Sequence, residues 1–181
     1  MSAQKPSMAL SPDYHTAIGV ITVNGAIMDQ LIDTAIWLVL KMPPERGMIV
    51  TGLLANTSRK ITFLRDLVAP MISDGNLKKE FHDVFSKLKS AQANRSKIVH
   101  AKWVFKASDR SIHIEVPPTE ETPSEAESMP LARLQGYGRE IAQAHKALED
   151  FFLKVEISPA ETGTYTWPPR FEGRPFRPKK S

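Results

Sequence analysis

The sequence predicts an all-α protein: a four-helix bundle with a small β-hairpin inserted after the third helix. Three observations predict it. Apolar residues recur at alternating spacings of three and four through most of the chain, the pattern of helices packed along one another. One short stretch, residues 102–116, alternates instead like a pair of strands. The strand–helix rhythm of an α/β fold is missing. A length of 181 residues fits one domain with tails, and an apolar content of 41% fits an ordinary core.

Residues 1–11 read as a flexible leader. The first helix spans Pro12 to Lys41, with Ile18, Ile21, Gly25, Met28, Ile32, Ala35 and Val39 on one stripe. Gly19 and Gly25 weaken a helix, and their usual meaning is close approach of a partner helix. Pro43-Pro44 ends the segment. The pattern predicts a second helix from Gly47 to Ile72, with the stripe Ile49, Leu53, Asn56, Lys60, Phe63, Leu67 and Met71. Its two polar members, Asn56 and Lys60, either line a cleft or are solvated. ISDGN at 72–76 is a turn by composition. The third helix starts near Asn76 and carries Leu77, Phe81, Val84, Phe85 and Leu88. Trp103 to Phe105 and Ile112 to Val116 flank a polar SDRS and read as a hairpin over about 102–116. Residues 117–130, PPTEETPSEAESMP, read as an acidic, Pro-rich loop. The fourth helix runs from about Leu131 to Val155. The helical domain is thus 12–157, and 158–181 is a basic Pro/Arg-rich tail.

The chain has no cysteine, which excludes disulfides, thiol chemistry and Cys-type zinc sites. The first residues lack a secretory pattern. The longest apolar run, AIWLVL at 35–40, is far short of the roughly 20 residues a bilayer requires. The expectation is a cytoplasmic protein without a membrane partner. Residues 166–181 contain five Lys/Arg and one Glu, which accounts for the whole net charge of +4. The body is therefore electrically balanced. The tail residues Arg170, Arg174, Arg177, Lys179 and Lys180 interleave with aromatics and suit a nucleic-acid backbone. The other reading is a solubilising extension, or a strap across the body. His15, His82 and His113 have no partners at ligand spacing, so no metal and no cofactor is expected.

Residues 94–103, NRSKIVHAKW, hold the candidate site. Eighteen residues make about five helical turns, so Arg95 falls in line with Leu77 on the core stripe. Ser96 is close to Phe85 around the axis, and His100 is about one turn beyond Ser96. An arginine followed by a histidine within a few residues occurs by chance, and Arg139 with His145 is a second instance. Arg139 precedes Glu140 in a regular helix and reads as a surface charge.

The segment from about Thr51 to Trp103 resembles the central helices of HEPN domains (higher eukaryotes and prokaryotes nucleotide-binding). Their hallmark is Arg, a polar residue, three more residues and His. Arg95, Ser96, Ile98-Val99, His100 and Ala101 match the arginine, the polar position, an apolar pair, the histidine and a small residue. Family members commonly have Asn and Gly where Ser96 and Ala101 stand. The layout of four helices extends the resemblance over roughly 12–157. It implies a metal-independent endoribonuclease of toxin or defence type, acting as a homodimer on RNA, with a cognate antitoxin or another protein as partner. Arg95 and His100 would be catalytic, and Asn94, Ser96 and Asn56 supporting. The imidazole suits proton transfer near neutrality, and a guanidinium suits charge building on a phosphoryl group. The two are about 140° apart around a regular helix, so they converge only if the helix ends or distorts, if the Arg side chain wraps round, or if a second subunit supplies the partner; a composite dimeric site would resolve this.

Other readings stand beside it. In one, His100 simply caps a helix end, with Arg95 paired to Asp29 or Asp33. In another, the domain is a non-catalytic interaction module, or one that binds a nucleotide without turnover.

Overall fold

A computed structural model describes residues 10–106, 111–115 and 126–155. The leader up to residue 9, the loop 116–125 and the basic tail from 156 onward lie outside the described residues. The described chain is mostly helical. In order it has α1 (Pro12–Val39), α2 (Pro44–Gly52), α3 (Thr57–Val68), a 3-10 turn (Ala69–Met71), α4 (Gly75–Val99), β1 (Lys102–Lys106), β2 (Ser111–Glu115), β3 (Ala126–Ser128) and α5 (Leu131–Lys154).

Local chemistry sets the helix limits. Pro12 and Pro44 occupy first-turn positions, where the missing N–H costs nothing. Asn56 caps α3, its Oδ1 accepting from the Arg59 N–H at 3.0 Å. Asp74 caps α4 in the same way, accepting from Leu77 N–H at 2.8 Å. After α1 the chain turns at Lys41, a non-glycine residue with φ 53°. The axes of α1 and α2 are bent by 116°.

The expected single helix Gly47–Ile72 is two helices and a 3-10 turn. The break falls at Leu53–Asn56, where Asn56 is extended at φ −159°, ψ 164°. A break resets the helical phase, so the stripe projected through it points the wrong way. Ile49, Leu53 and Met71 are exposed by 68%, 79% and 54%. The residues that enter the core are Ile61, Leu64 and Val68. The expected hairpin has a third strand. β2 pairs antiparallel with β1, Trp103 opposite Ile114, and with β3, Ile114 opposite Glu127. Ala126–Ser128, read as acidic loop, is therefore paired backbone.

The core joins Ile21, Met28, Ile32 and Ile36 of α1 to residues of α3, α4 and α5. Phe81 stacks on Phe85 at 4.6 Å and meets Phe151 at 5.9 Å between ring centres. Polar contacts fix the helix directions. Tyr14 donates to the Met129 carbonyl just ahead of α5, and Asn24 to the Gly138 carbonyl within it. Hence α1 and α5 advance the same way. Glu80 pairs with Lys154, and Asn94 with Glu140, so α4 runs against α5. Among the described residues no single helix is long and apolar enough to cross a membrane.

Candidate functional site at the end of α4

Arg95 and His100 sit on the last two turns of α4 and at its cap. Arg95 is partly buried because α1 lacks a side chain beneath it. A Cβ added at Gly25 would lie 2.4 Å from both Cδ and Nε of Arg95. The arginine therefore lies flat on the α1 backbone. Gly25 is the close approach that the sequence suggested. Gly19 is different, with nothing within 4 Å of an added Cβ.

The alternative pairing of Arg95 with Asp29 or Asp33 is not what forms. Lys60 of α3 pairs with both carboxylates, at 3.1 Å and 2.9 Å, although the buried Oδ1 of Asp33 accepts no hydrogen bond among the described residues. Thr57 also donates to Asp29 at 2.9 Å. Lys60, expected to be solvated or to line a cleft, is only 12% exposed. Burial works against its charge, yet the bonds to Asp33 and Asp29 outweigh burial and raise its pKa. For Asp33 the balance is reversed: burial lifts the carboxyl above its ordinary value despite Lys60. The ion pairs join α3 to α1 in a partly buried layer, where the cost of removing charges from water offsets much of their attraction.

Among the described residues Arg95 is thus left without a carboxylate. Its Nε is buried and has no hydrogen-bond partner among the described residues. One turn earlier on the same face, the buried Oε1 of Gln92 also lacks one. A guanidinium dehydrated on one side and unpaired is a strong receptor for a phosphate oxygen.

His100 is the C-cap residue of α4, its N–H bonded to the Ser96 carbonyl at 3.1 Å, and it is exposed. Among the described residues no side-chain hydrogen bond joins His100 to Arg95 or to Ser96. Asn94 faces away from Arg95 toward α5, donating to Glu140 at 2.7 Å. Asn56 is an exposed helix cap. So the structure brings Arg95, Ser96 and His100 to one helix end and assigns Asn94 and Asn56 to other contacts. The tail residues Arg170, Arg174, Arg177, Lys179 and Lys180 lie outside the described residues.

The same helix end is locked from the other side. Glu127 of β3 accepts from Lys97 and also pairs with Arg133 of α5 at 2.5 Å. The Lys97 bond, above all, holds the Glu127 carboxyl below its ordinary pKa. Arg133 also donates to Tyr137 at 3.0 Å. This clamp ties α4, the sheet and α5 together beside the candidate residues. Nothing in the sequence pattern signalled it, because Glu127 lay in a segment read as loop.

Among the described residues no cluster of three or more His, Asp or Glu suits a metal ion. Compared with known proteins, the chain matches no protein-family model, no curated protein and no solved structure.

Proposed function

We propose that the protein is an HEPN-like, RNA-handling homodimer whose α1, α3, α4 and α5 form the family's four-helix bundle. In this reading the end of α4 supplies a metal-independent endoribonuclease site of toxin or defence type. One observation carries it. Arg95 is partly buried, yet its Nε lacks an acceptor among the described residues, and Asp29 and Asp33 pair with Lys60.

The chemistry follows from the groups. The neighbouring 2′-hydroxyl of RNA attacks the phosphorus, the 5′-oxygen leaves, and a 2′,3′-cyclic phosphate remains. His100, solvent-accessible at the helix cap, accepts or delivers the proton. Arg95 neutralises the charge that builds on the phosphoryl oxygens. α4 ends at His100, its C-cap, so in this reading the long Arg95 side chain wraps toward the imidazole or a second subunit supplies the partner. A cognate antitoxin would act by covering the site.

The test is a cleavage assay on mixed cellular RNA with excess chelator. Wild type should leave 2′,3′-cyclic ends. Folded His100→Ala should lose activity by about 10²-fold or more. Arg95→Lys should lose most of it too, since an ammonium cannot reproduce the fork. Wild-type protein that leaves RNA intact would remove the nuclease.

A second reading, a non-catalytic interaction module, draws on a different observation. Met48, Ile49 and Leu53 around α2 are exposed by 57%, 68% and 79%, an apolar surface suited to a protein partner.

A further inference from the structure

Beyond its first turn, the outward face of α1 carries no charge as far as Met28. From Thr16 to Met28 the chain has no charged residue, although 24% of the whole sequence is charged. Yet Thr16, Gly19, Val20, Thr22, Val23 and Ala26 are all exposed, Val20 by 46% and Val23 by 58%. A helix facing water ordinarily sets charged residues on that side. This one presents small and β-branched residues over more than three turns.

The face continues into a groove of about 490 Å³ between α1 and α5. Asp13 lines the groove on α1, and Arg139 lines it on α5. Arg139 follows Gly138, whose carbonyl is bonded to Asn24 at 3.1 Å, so it lies level with Asn24. Asp13 is eleven residues before Asn24, about 16 Å along the axis. Neither Asp13 nor Arg139 has an ion-pair partner among the described residues. The groove thus bears one free negative charge and one free positive charge, separated along an apolar strip.

We infer that this face is the contact surface for a second copy of the chain. The two α1 helices pack antiparallel across a two-fold axis, and Asp13 of each copy pairs with Arg139 of the other. A two-fold contact must be self-complementary, and opposite charges at the two ends of one apolar strip meet that condition. The axis falls midway between Asp13 and Asn24, at the level of Gly19. That is where an added Cβ would meet nothing within 4 Å, so two backbones can approach there. The inference rests only on the chain's being a dimer, as in the function proposed above, and not on its nuclease chemistry: the contact lies on the exposed side of α1, opposite Gly25 and Arg95, and does not itself build a site shared by two subunits. The two fail separately, since a dimer that leaves RNA intact keeps this surface and loses the nuclease.

Sedimentation of the full chain over a concentration series tests the arrangement. Wild type should be a dimer. Val23→Glu, Arg139→Asp and Asp13→Arg should each raise the dissociation constant by about tenfold or more. The double exchange Asp13→Arg with Arg139→Asp should restore association. All substituted positions are exposed, and helix content by circular dichroism checks that the variants fold. Because the chain has no cysteine, Gly19→Cys gives a second readout. Mild oxidation should link two copies through that position. A wild-type monomer at every concentration, including one that binds lipid vesicles or another protein instead, overturns the inference. So does a dimer that survives both Val23→Glu and Arg139→Asp, or a folded double exchange that stays monomeric.

Discussion

A methyl group on Gly25 would stand 2.4 Å from Cδ and Nε of Arg95, closer than any real contact. Gly25→Ala should therefore push the guanidinium off α1 and destabilise the fold by about 1–3 kcal/mol, measured by denaturant midpoint. In an Arg95→Ala background the same change should become neutral or stabilising, because alanine is favoured over glycine in a helix by about 0.5–1 kcal/mol. A penalty that persists without Arg95 would show that Gly25 serves something else. Half of this contact was legible in the sequence. Gly25 lay on the core stripe and signalled close approach, and Arg95 lay in line with Leu77. That the arginine itself fills the gap was not legible, since Asp29 and Asp33 looked like its natural partners. Lys60 takes them because α3 is rotated relative to a continuous second helix.

The elements read well where the hydrophobic period was unbroken. α1, α4 and α5 begin and end within a few residues of expectation, since each carries one phase from cap to cap. α2 and α3 did not, because four residues of capped turn shift the phase without interrupting the apolar pattern. β3 was missed because a three-residue strand has no period to read. The seat of α2 shows what local sequence cannot supply. An added Cβ at Gly47 would meet Trp37 ring carbons at 2.4 Å. The indole also donates to Thr51 at 3.3 Å. A ring buried on both sides cannot swing aside as an arginine can. Gly47→Ala should lift α2, lower stability by about 2–3 kcal/mol, and move Trp37 emission toward the red. The measurement is fluorescence in a variant with Trp103 and Trp167 replaced by phenylalanine. Unchanged emission would mean that α2 tolerates the methyl group.

For the whole molecule, two groups give stability a definite dependence on pH. Burial lowers the pKa of His145 below its ordinary 6.5, against the pull of Glu149. The unfolded chain then binds the proton more readily, so stability is full above about 6.5 and is lost as pH falls through the folded value. Lys97 lowers Glu127 below 4.5, which places a second loss at more acid pH, with the same sign. The unfolding temperature should fall in two stages on acidification. His145→Gln should flatten the first and Glu127→Gln the second, as read by thermal melts in a series of buffers. The packing of α1 against α5 bears on the molecule's birth as well. Tyr14 meets Met129 across 115 positions of sequence. At about 5–20 residues per second, a ribosome takes roughly 6–23 s to make that stretch. During this interval the uncharged length of α1 has emerged and its partner has not been made. The nascent chain therefore offers chaperones a greasy segment early, and folding of the first helix waits on synthesis of the last.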